Sequence, residues 1–227
     1  MKQTVRAAFR ATIPVLMGYL AIGIAFGLMM DSAGYSLLLT VLMSVTIYAG
    51  AGQYLGVSLL VAGVSPVQTA LMTLLVNFRH MFYGLSMLEK FRGMGLRKLY
   101  MIFSLTDETY ALLASAQAPE GVPEKDYYLA IALLDHSYWI AGSAIGFLLG
   151  SALSINTTGV DFAMTALFVV IAVGQWRGTK NHLPAALGAA VTLVSLQLVG
   201  KENMLILSLV VIAALLLALQ RRMPADE

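Results

Sequence analysis

Two long apolar stretches of this chain carry, at their middles, groups that hydrocarbon rejects. Asn77, Arg79 and His80 lie within residues 69–88, and Thr106, Asp107 and Glu108 lie within residues 99–116. A charged side chain at a bilayer centre costs about 2.5–3.5 kcal/mol on insertion scales, so such groups face one another, a cavity or a transported solute. The chemistry these types support is recognition of a charged solute. A guanidinium holds a carboxylate, an acid holds an ammonium, and an amide and an imidazole complete the hydrogen bonding. The competing reading is a buried ion pair that only pins helices together. On a helical period Thr73, Asn77, His80 and Gly84 share one face, while Arg79 and Tyr83 point elsewhere, one turn apart. Arg79 is then a counter-ion for Asp107, for Glu108 or for the acid group of a substrate. On the next stretch Asp107 and Tyr110 are one turn apart, as are Ser104 and Glu108, so the two acids are expected in different surroundings.

A second pair, Asp135 and His136, sits some eight residues into residues 127–153, beside Ser137, Tyr138 and Trp139. Histidine next to a carboxylate suits a proton relay, and His80, Asp107, Glu108, Asp135 and His136 are the proton-coupling candidates. The alternative for Asp135 and His136 is a half-solvated pair in an aromatic belt at the outer interface. His182, beside Lys180, reads as interfacial, and Asp161 as a helix cap after Asn156 to Gly159. No HExxH, nucleotide-phosphate loop or GxSxG occurs, the three histidines lie on separate segments and cysteine is absent, so no metal, cofactor or catalytic nucleophile is expected.

The elements that must position these residues are membrane helices. The chain is 59% hydrophobic and 11% charged with a mean hydropathy of +0.81, whereas soluble domains carry about 25% charged residues. Its 227 residues leave room for a single integral membrane domain over 1–227 and for no separate soluble one. Eight apolar segments follow: 13–30, 36–63, 66–88, 99–116, 127–153, 160–175, 183–199 and 203–219. Eight full crossings would put Lys90, Arg92, Arg97 and Lys98 outside, against the positive-inside rule. An all-α fold of about six crossing helices plus two broken or re-entrant segments, 36–63 and 160–182, resolves the conflict. Both contain glycine breaks, Ala49-Gly50-Ala51-Gly52-Gln53-Tyr54 and Gly174-Gln175-Trp176-Arg177-Gly178, and non-helical backbone is tolerated at membrane depth where it lines a cavity. This scheme makes the N-terminus and the 90–98 loop cytoplasmic and leaves the acidic loop with Glu120, Glu124 and Asp126 outside. The two breaks follow similar glycine runs, which suggests inverted repeats over 11–90 and 127–220, linked by span 99–116.

The runs Pro14, Gly18-Tyr19 and Gly23 to Gly27, then Ala49 to Gln53, Asn77-Phe78-Arg79-His80-Met81-Phe82-Tyr83 and Thr106-Asp107-Glu108-Thr109-Tyr110 resemble, in order and spacing, the AzlC family. The likeness covers nearly the whole chain. It implies an exporter of valine, leucine and isoleucine, with methionine as a further candidate, in the bacterial cytoplasmic membrane beside a small AzlD-type membrane subunit. A zwitterionic amino acid needs a carboxylate anchor, an ammonium anchor and an apolar pocket. Arg79, or the positive end of a broken helix near Gly50 to Gln53, would hold the carboxylate; Asp107 or Glu108 the ammonium; Gln53, Asn77 and His80 complete the hydrogen bonding; and Phe26, Met43 and Phe82 accept the side chain. The residues leave two other classes open: a membrane scaffold or sensor whose central charges are structural, and an intramembrane enzyme. Nothing points to nucleic acid.

Overall fold

The computed structural model describes residues 2–153, 169, 173, 176, 177 and 181–219. The described residues form helices joined by turns and short loops, with no strand among them, as expected. The sixth apolar segment with its break at Gly174 to Gly178, Asp161, Lys180 and the repeat it would complete lie largely outside them. Among the described residues three helices are long and apolar enough to cross a bilayer unaided: within α1 (Lys2–Ser32), within α8 (Glu124–Leu153) and over residues 183–200. Between α1 and α8 the chain is made of shorter helices: α2 (Leu37–Thr46), α3 (Gly50–Val61), α4 (Pro66–Asn77), α5 (Arg79–Ser86), α6 (Arg97–Phe103) and α7 (Asp107–Ser115).

Glycine sets the frame. Gly23 and Gly27 on α1 meet Gly142 and Gly146 on α8, with Gly150 beside Asp31 one turn farther on. A Cβ on Gly142 would stand 2.9 Å from the Tyr19 carbonyl oxygen, and one on Gly27 would collide with the Ser143 carbonyl. Small residues at four-residue spacing let two membrane helices approach backbone to backbone. The contacts advance in step along both chains, so α1 and α8 run parallel. Thr12 meets Tyr138 near one end and Asp31 meets Gly150 near the other. The intervening chain therefore returns to the face where α1 began.

It returns once, through α4 and α5. The break after α2 is a reversal: Gln53 Nε2 donates to Ser44 Oγ at 3.3 Å, and Met43 Cε lies 3.7 Å from where a Cβ on Gly56 would be. Helix α3 thus retraces α2, which is the re-entrant arrangement expected for residues 36–63. Tyr48 at the turn has φ 43, a left-handed backbone that a bulky residue adopts only under tertiary constraint. Helix α4 brings Asn77 back against Gly52, the ladder tightens to i,i+3 bonds at Phe78, and α5 continues to the N-terminal face.

Residues 97–116 correct the expected topology. Their length and hydropathy predict a crossing span, but α6 and α7 form a second hairpin that enters and leaves by one face. With α8 as a ruler, Arg97 pairs with Asp126 at 2.8 Å, Tyr100 bonds His136 at 3.0 Å, Thr109 bonds Asp135 at 3.0 Å, and the Ala116 carbonyl accepts from Tyr128 at 3.2 Å. The cause is local. Backbone bonds fail to propagate past Ser104, and Thr106 turns extended to cap α7 through its hydroxyl. The acidic loop consequently shares a face with the basic 90–98 loop, Lys125 donating to the Gly93 carbonyl at 3.0 Å, instead of standing opposite it. The Arg97–Asp126 pair joins the two charged regions, so their opposite signs mark a contact and not opposite sides of a membrane.

The parallel run of α1 and α8 likewise removes an inverted relation between copies beginning at residues 11 and 127. An inversion does appear between shorter units. Helix α1 followed by the α2–α3 hairpin runs opposite to α4–α5 followed by the α6–α7 hairpin. In the C-terminal unit, taken by itself, residues 183–219 form a long helix, α9 (Leu183–Leu219), interrupted where Gly200 takes φ 72. His182 stacks on Trp176 at 4.0 Å, just ahead of it.

Candidate functional site

Both hairpins turn at mid-depth, and the polar residues singled out from the sequence gather around these turns. Helix α5 carries Arg79 to Asp107 at the start of α7, where Nη2 and Oδ2 are 2.7 Å apart. The Tyr83 hydroxyl donates to Asp107 Oδ1 at 2.6 Å, and its ring stacks on Tyr110 at 4.2 Å. Of the two acids offered to Arg79, Asp107 is thus the one that takes it. The pair is not sealed: the two side chains are 25% and 31% exposed. Arg79 Nε is buried without a hydrogen-bond partner. His80 stands beside the Tyr83 ring at 5.6 Å.

Glu108 turns the other way. Its Oε2 accepts from the Tyr19 hydroxyl of α1 at 3.1 Å, and that hydroxyl also bonds Thr106. The separation of the two acids expected from their spacing is realised, but through the first turn of α7 and not along a helix shared with Ser104.

The other turn supplies amides. Gln53 is fully buried in the first turn of α3; its Oε1 accepts from Trp139 Nε1 at 2.8 Å. Gly52 leaves room for the side chain of Asn77, whose Nδ2 lies 2.6 Å from where a Cβ would be. Asn77 Oδ1 is buried and unpartnered. No side chain caps α3: Ala49 fills the cap position, and the first turn holds no acid. The backbone N–H groups of such a helix start attract anions.

Asp135 and His136 do not lie in a half-solvated belt. Asp135 is fully buried and accepts from Thr109 at 3.0 Å through Oδ2, while Oδ1 has no partner. His136 stacks on Tyr48 at 4.1 Å, and its Nε2 lies 3.2 Å from the Ser44 carbonyl. A carbonyl only accepts, so Nε2 carries the hydrogen and Nδ1 faces the Tyr100 hydroxyl at 3.0 Å. With both nitrogens engaged, His136 holds the α2–α3 turn against α8. Of the expected apolar pocket, Phe26 is buried against Tyr54 and Trp139 and Met43 is buried, but Phe82 is 59% exposed and faces outward. Among the described residues no three His, Asp or Glu side chains are placed to share a metal ion.

Sequence reasoning passed over Tyr19, Tyr48, Ser44 and Thr109. Hydroxyls are common in membrane helices and satisfy themselves on the preceding turn, as Thr46 does, so only their convergence in space distinguishes them.

Comparison with known proteins places this chain among relatives. Residues 14–153 match the family model described as AzlC protein. A Bacillus subtilis (strain 168) relative, the branched-chain amino acid transport protein AzlC, is 40% identical over 98% of this chain and 87% of its own length. An uncharacterized membrane protein of Helicobacter pylori (strain ATCC 700392 / 26695) is 42% identical over 95% of both chains. The inner membrane protein YgaZ of Escherichia coli (strain K12) is 29% identical over 82% of this chain and 79% of its own. No solved structure matches.

Proposed function

Since this chain belongs to the AzlC family, we propose that it is a secondary transporter that exports valine, leucine and isoleucine, with methionine as a further candidate, across a bacterial cytoplasmic membrane. The name of the Bacillus subtilis relative supports the substrate class. A small AzlD-type subunit is the proposed partner, on the resemblance alone. The proposed N-terminus is cytoplasmic. The face it occupies carries Lys2, Arg6, Arg10, Lys90, Arg92, Arg97, Lys98 and Lys125 against Glu89, Glu120, Glu124 and Asp126, and excess Lys and Arg mark the cytoplasmic side.

The observation that carries the reading is the uncapped start of α3 at mid-depth, facing the unpartnered Asn77 oxygen and near the part-exposed Arg79–Asp107 pair. Broken helices present such ends to anionic substrate groups in other transporters. The substrate carboxylate docks on the α3 start, with Arg79 as the second anchor and Gln53, Asn77 and His80 completing the polar shell. Asp107 is engaged by Arg79 and Tyr83, which favours Glu108 as the ammonium anchor. Phe26 and Met43 offer the apolar surface. Export in exchange for protons supplies the energy in this reading.

The Arg79–Asp107–Tyr83 cluster also suits a scaffold or sensor whose charges are structural, and one experiment separates the two. Cells lacking the protein, and cells overproducing Asp107→Asn, Glu108→Gln or the native chain, are loaded with leucine-containing dipeptides, and amino acids appearing in the medium are measured. Export predicts faster leucine appearance with the native chain and its loss in variants that still accumulate folded in the membrane. Equal rates in all strains refute it, and variants that fail to assemble indicate the scaffold.

A further inference from the structure

Five side chains from three helices form one unbroken line of hydrogen bonds through the interior. Glu108 Oε2 meets the Tyr19 hydroxyl at 3.1 Å, Tyr19 meets Thr106 Oγ1, Thr106 meets Thr109 Oγ1 at 3.1 Å, and Thr109 meets Asp135 Oδ2 at 3.0 Å. Tyr19, Thr106, Thr109 and Asp135 are all buried. Two carboxylates are therefore joined by three hydroxyls, each able to donate once and accept twice. One carboxylate, Glu108, lies next to the substrate anchors. The other, Asp135, is enclosed, with an oxygen that nothing satisfies.

We propose that Tyr19, Thr106 and Thr109 relay a proton between Glu108 and Asp135, so that a substrate ammonium and a proton compete for Glu108 while Asp135 stores the displaced proton. The inference rests on the transport reading and gives it a coupling device. The step balances without a co-reactant. Protonated Glu108 donates to the Tyr19 oxygen, Tyr19 passes its own proton to Thr106, Thr106 to Thr109, and Thr109 to the Asp135 carboxylate. Glu108 becomes a carboxylate able to hold an ammonium, Asp135 becomes an acid, and every hydrogen bond in the line reverses. Tyr19 donates to Glu108 as it would after transfer, whereas Thr106 donates to Thr109 and Thr109 to Asp135 as before it, so both carboxylates accept in this arrangement.

The surroundings suit storage. The groups that face Asp135 are the hydroxyls of Thr109, Tyr48, Tyr100 and Tyr138 and, at longer range, Glu108; His136 adjoins it in sequence with both nitrogens held elsewhere. Glu108 is faced by Asp107, Arg79 and Tyr19. Thr106 has a second bond that fixes its geometry, accepting from the Thr109 amide as the α7 cap, so the relay is built into the turn of the hairpin.

The test uses the full chain in sealed vesicles containing a pH-sensitive dye, with labelled leucine. Two quantities are read: exchange of labelled for unlabelled leucine at equal pH, and proton movement driven by a leucine gradient. Tyr19→Phe and Thr109→Val each remove one link with little change of shape, and Thr109→Ser keeps the hydroxyl. The expected result is leucine exchange retained in all three, with leucine-driven proton movement reduced about 100-fold in Tyr19→Phe and Thr109→Val, the low end of what a placed proton-transfer group contributes, and kept in Thr109→Ser. Wild-type proton movement in the first two variants overturns the relay. So does loss of exchange together with proton movement, which would make the hydroxyls supports of the site. Native protein that exchanges leucine without moving protons overturns the relay and leaves transport standing, whereas native protein that exchanges no leucine removes the transport reading and the relay with it.

Discussion

The second hairpin makes a sharp prediction about sidedness. Helices α6 and α7 hold 7 and 9 residues, which at 1.5 Å per residue reach roughly 10 and 14 Å. A bilayer core is about 30 Å thick, so neither limb crosses it, and because the limbs lie antiparallel along α8 their lengths do not add. Helices α4 and α5, with 12 and 8 residues, do add, to roughly 30 Å. Residues 96 and 120 must therefore lie on one side of the membrane and residue 62 on the other. The chain has no cysteine, so Leu96→Cys, Glu120→Cys and Ala62→Cys each introduce a lone thiol at an exposed loop position. Sealed vesicles of both orientations are treated with a membrane-impermeant maleimide. Leu96→Cys and Glu120→Cys should label in the same preparation, together with Lys2→Cys, and Ala62→Cys only in the other. Labelling of positions 96 and 120 from opposite sides would make residues 97–116 a crossing and refute the hairpin, the shared face of the charged loops and the mid-depth position of Asp107 at once.

Two glycine substitutions probe packing and site separately. At Gly52 an added methyl meets Asn77 Nδ2 at 2.6 Å; overpacking of about 1–3 kcal/mol should slow leucine exchange by roughly 5- to 150-fold, while Gly56→Ala, with only a flexible methionine end at 3.7 Å, should leave it unchanged. Equal rates for the two variants would remove Asn77 from the site. Gly27→Ala collides with the α8 backbone, whereas Gly18→Ala meets nothing within 4 Å, so detergent-solubilised Gly27→Ala should unfold at a lower temperature than both Gly18→Ala and the native chain; indistinguishable midpoints would deny the α1–α8 contact its structural role.

The parts of this architecture that were legible are those written in composition and in single residues that break a pattern. Mean hydropathy marks a membrane chain, Ala49 to Gln53 marks a broken helix, and Arg79, Asp107 and Glu108 stand out because hydrocarbon excludes them. The fold-back of residues 97–116 was hidden because its length, 20 residues, suits a crossing, and because the signal that ends α6 is a short Ser-Leu-Thr run. Thr106 followed by Asp107 and Glu108 is nevertheless a helix start, with a hydroxyl cap and acids in the first turn. Treated as intruders in a helix, these residues suggested a lining; treated as a beginning, they would have placed a turn at mid-depth. Hydroxyl relays leave even less trace, since Tyr19, Thr106 and Thr109 acquire meaning only when three helices bring them to one line.

The two hairpins, though opposed in direction, do not end alike, and that difference bears on what they can bind. Each turn starts a helix at mid-depth and so aims the positive end of a helix dipole inward. At α7 this field is met from within the chain: the Thr106 hydroxyl caps the Thr109 amide, and Asp107 and Glu108 bring negative charge to the first turn. At α3 nothing of the kind happens, since Ala49 offers no acceptor and residues 50–53 hold no acid. The turns adjoin, with the Tyr48 hydroxyl of one lying 3.4 Å from Thr109 of the other. An anion therefore gains at the α3 start and a cation beside Glu108, a pairing suited to the two ends of an amino acid. A substrate lacking either charge would lose one of the two anchors. Leucine amide and isocaproate should accordingly compete with labelled leucine far less well than valine does, and equal competition by either would contradict the dipolar site.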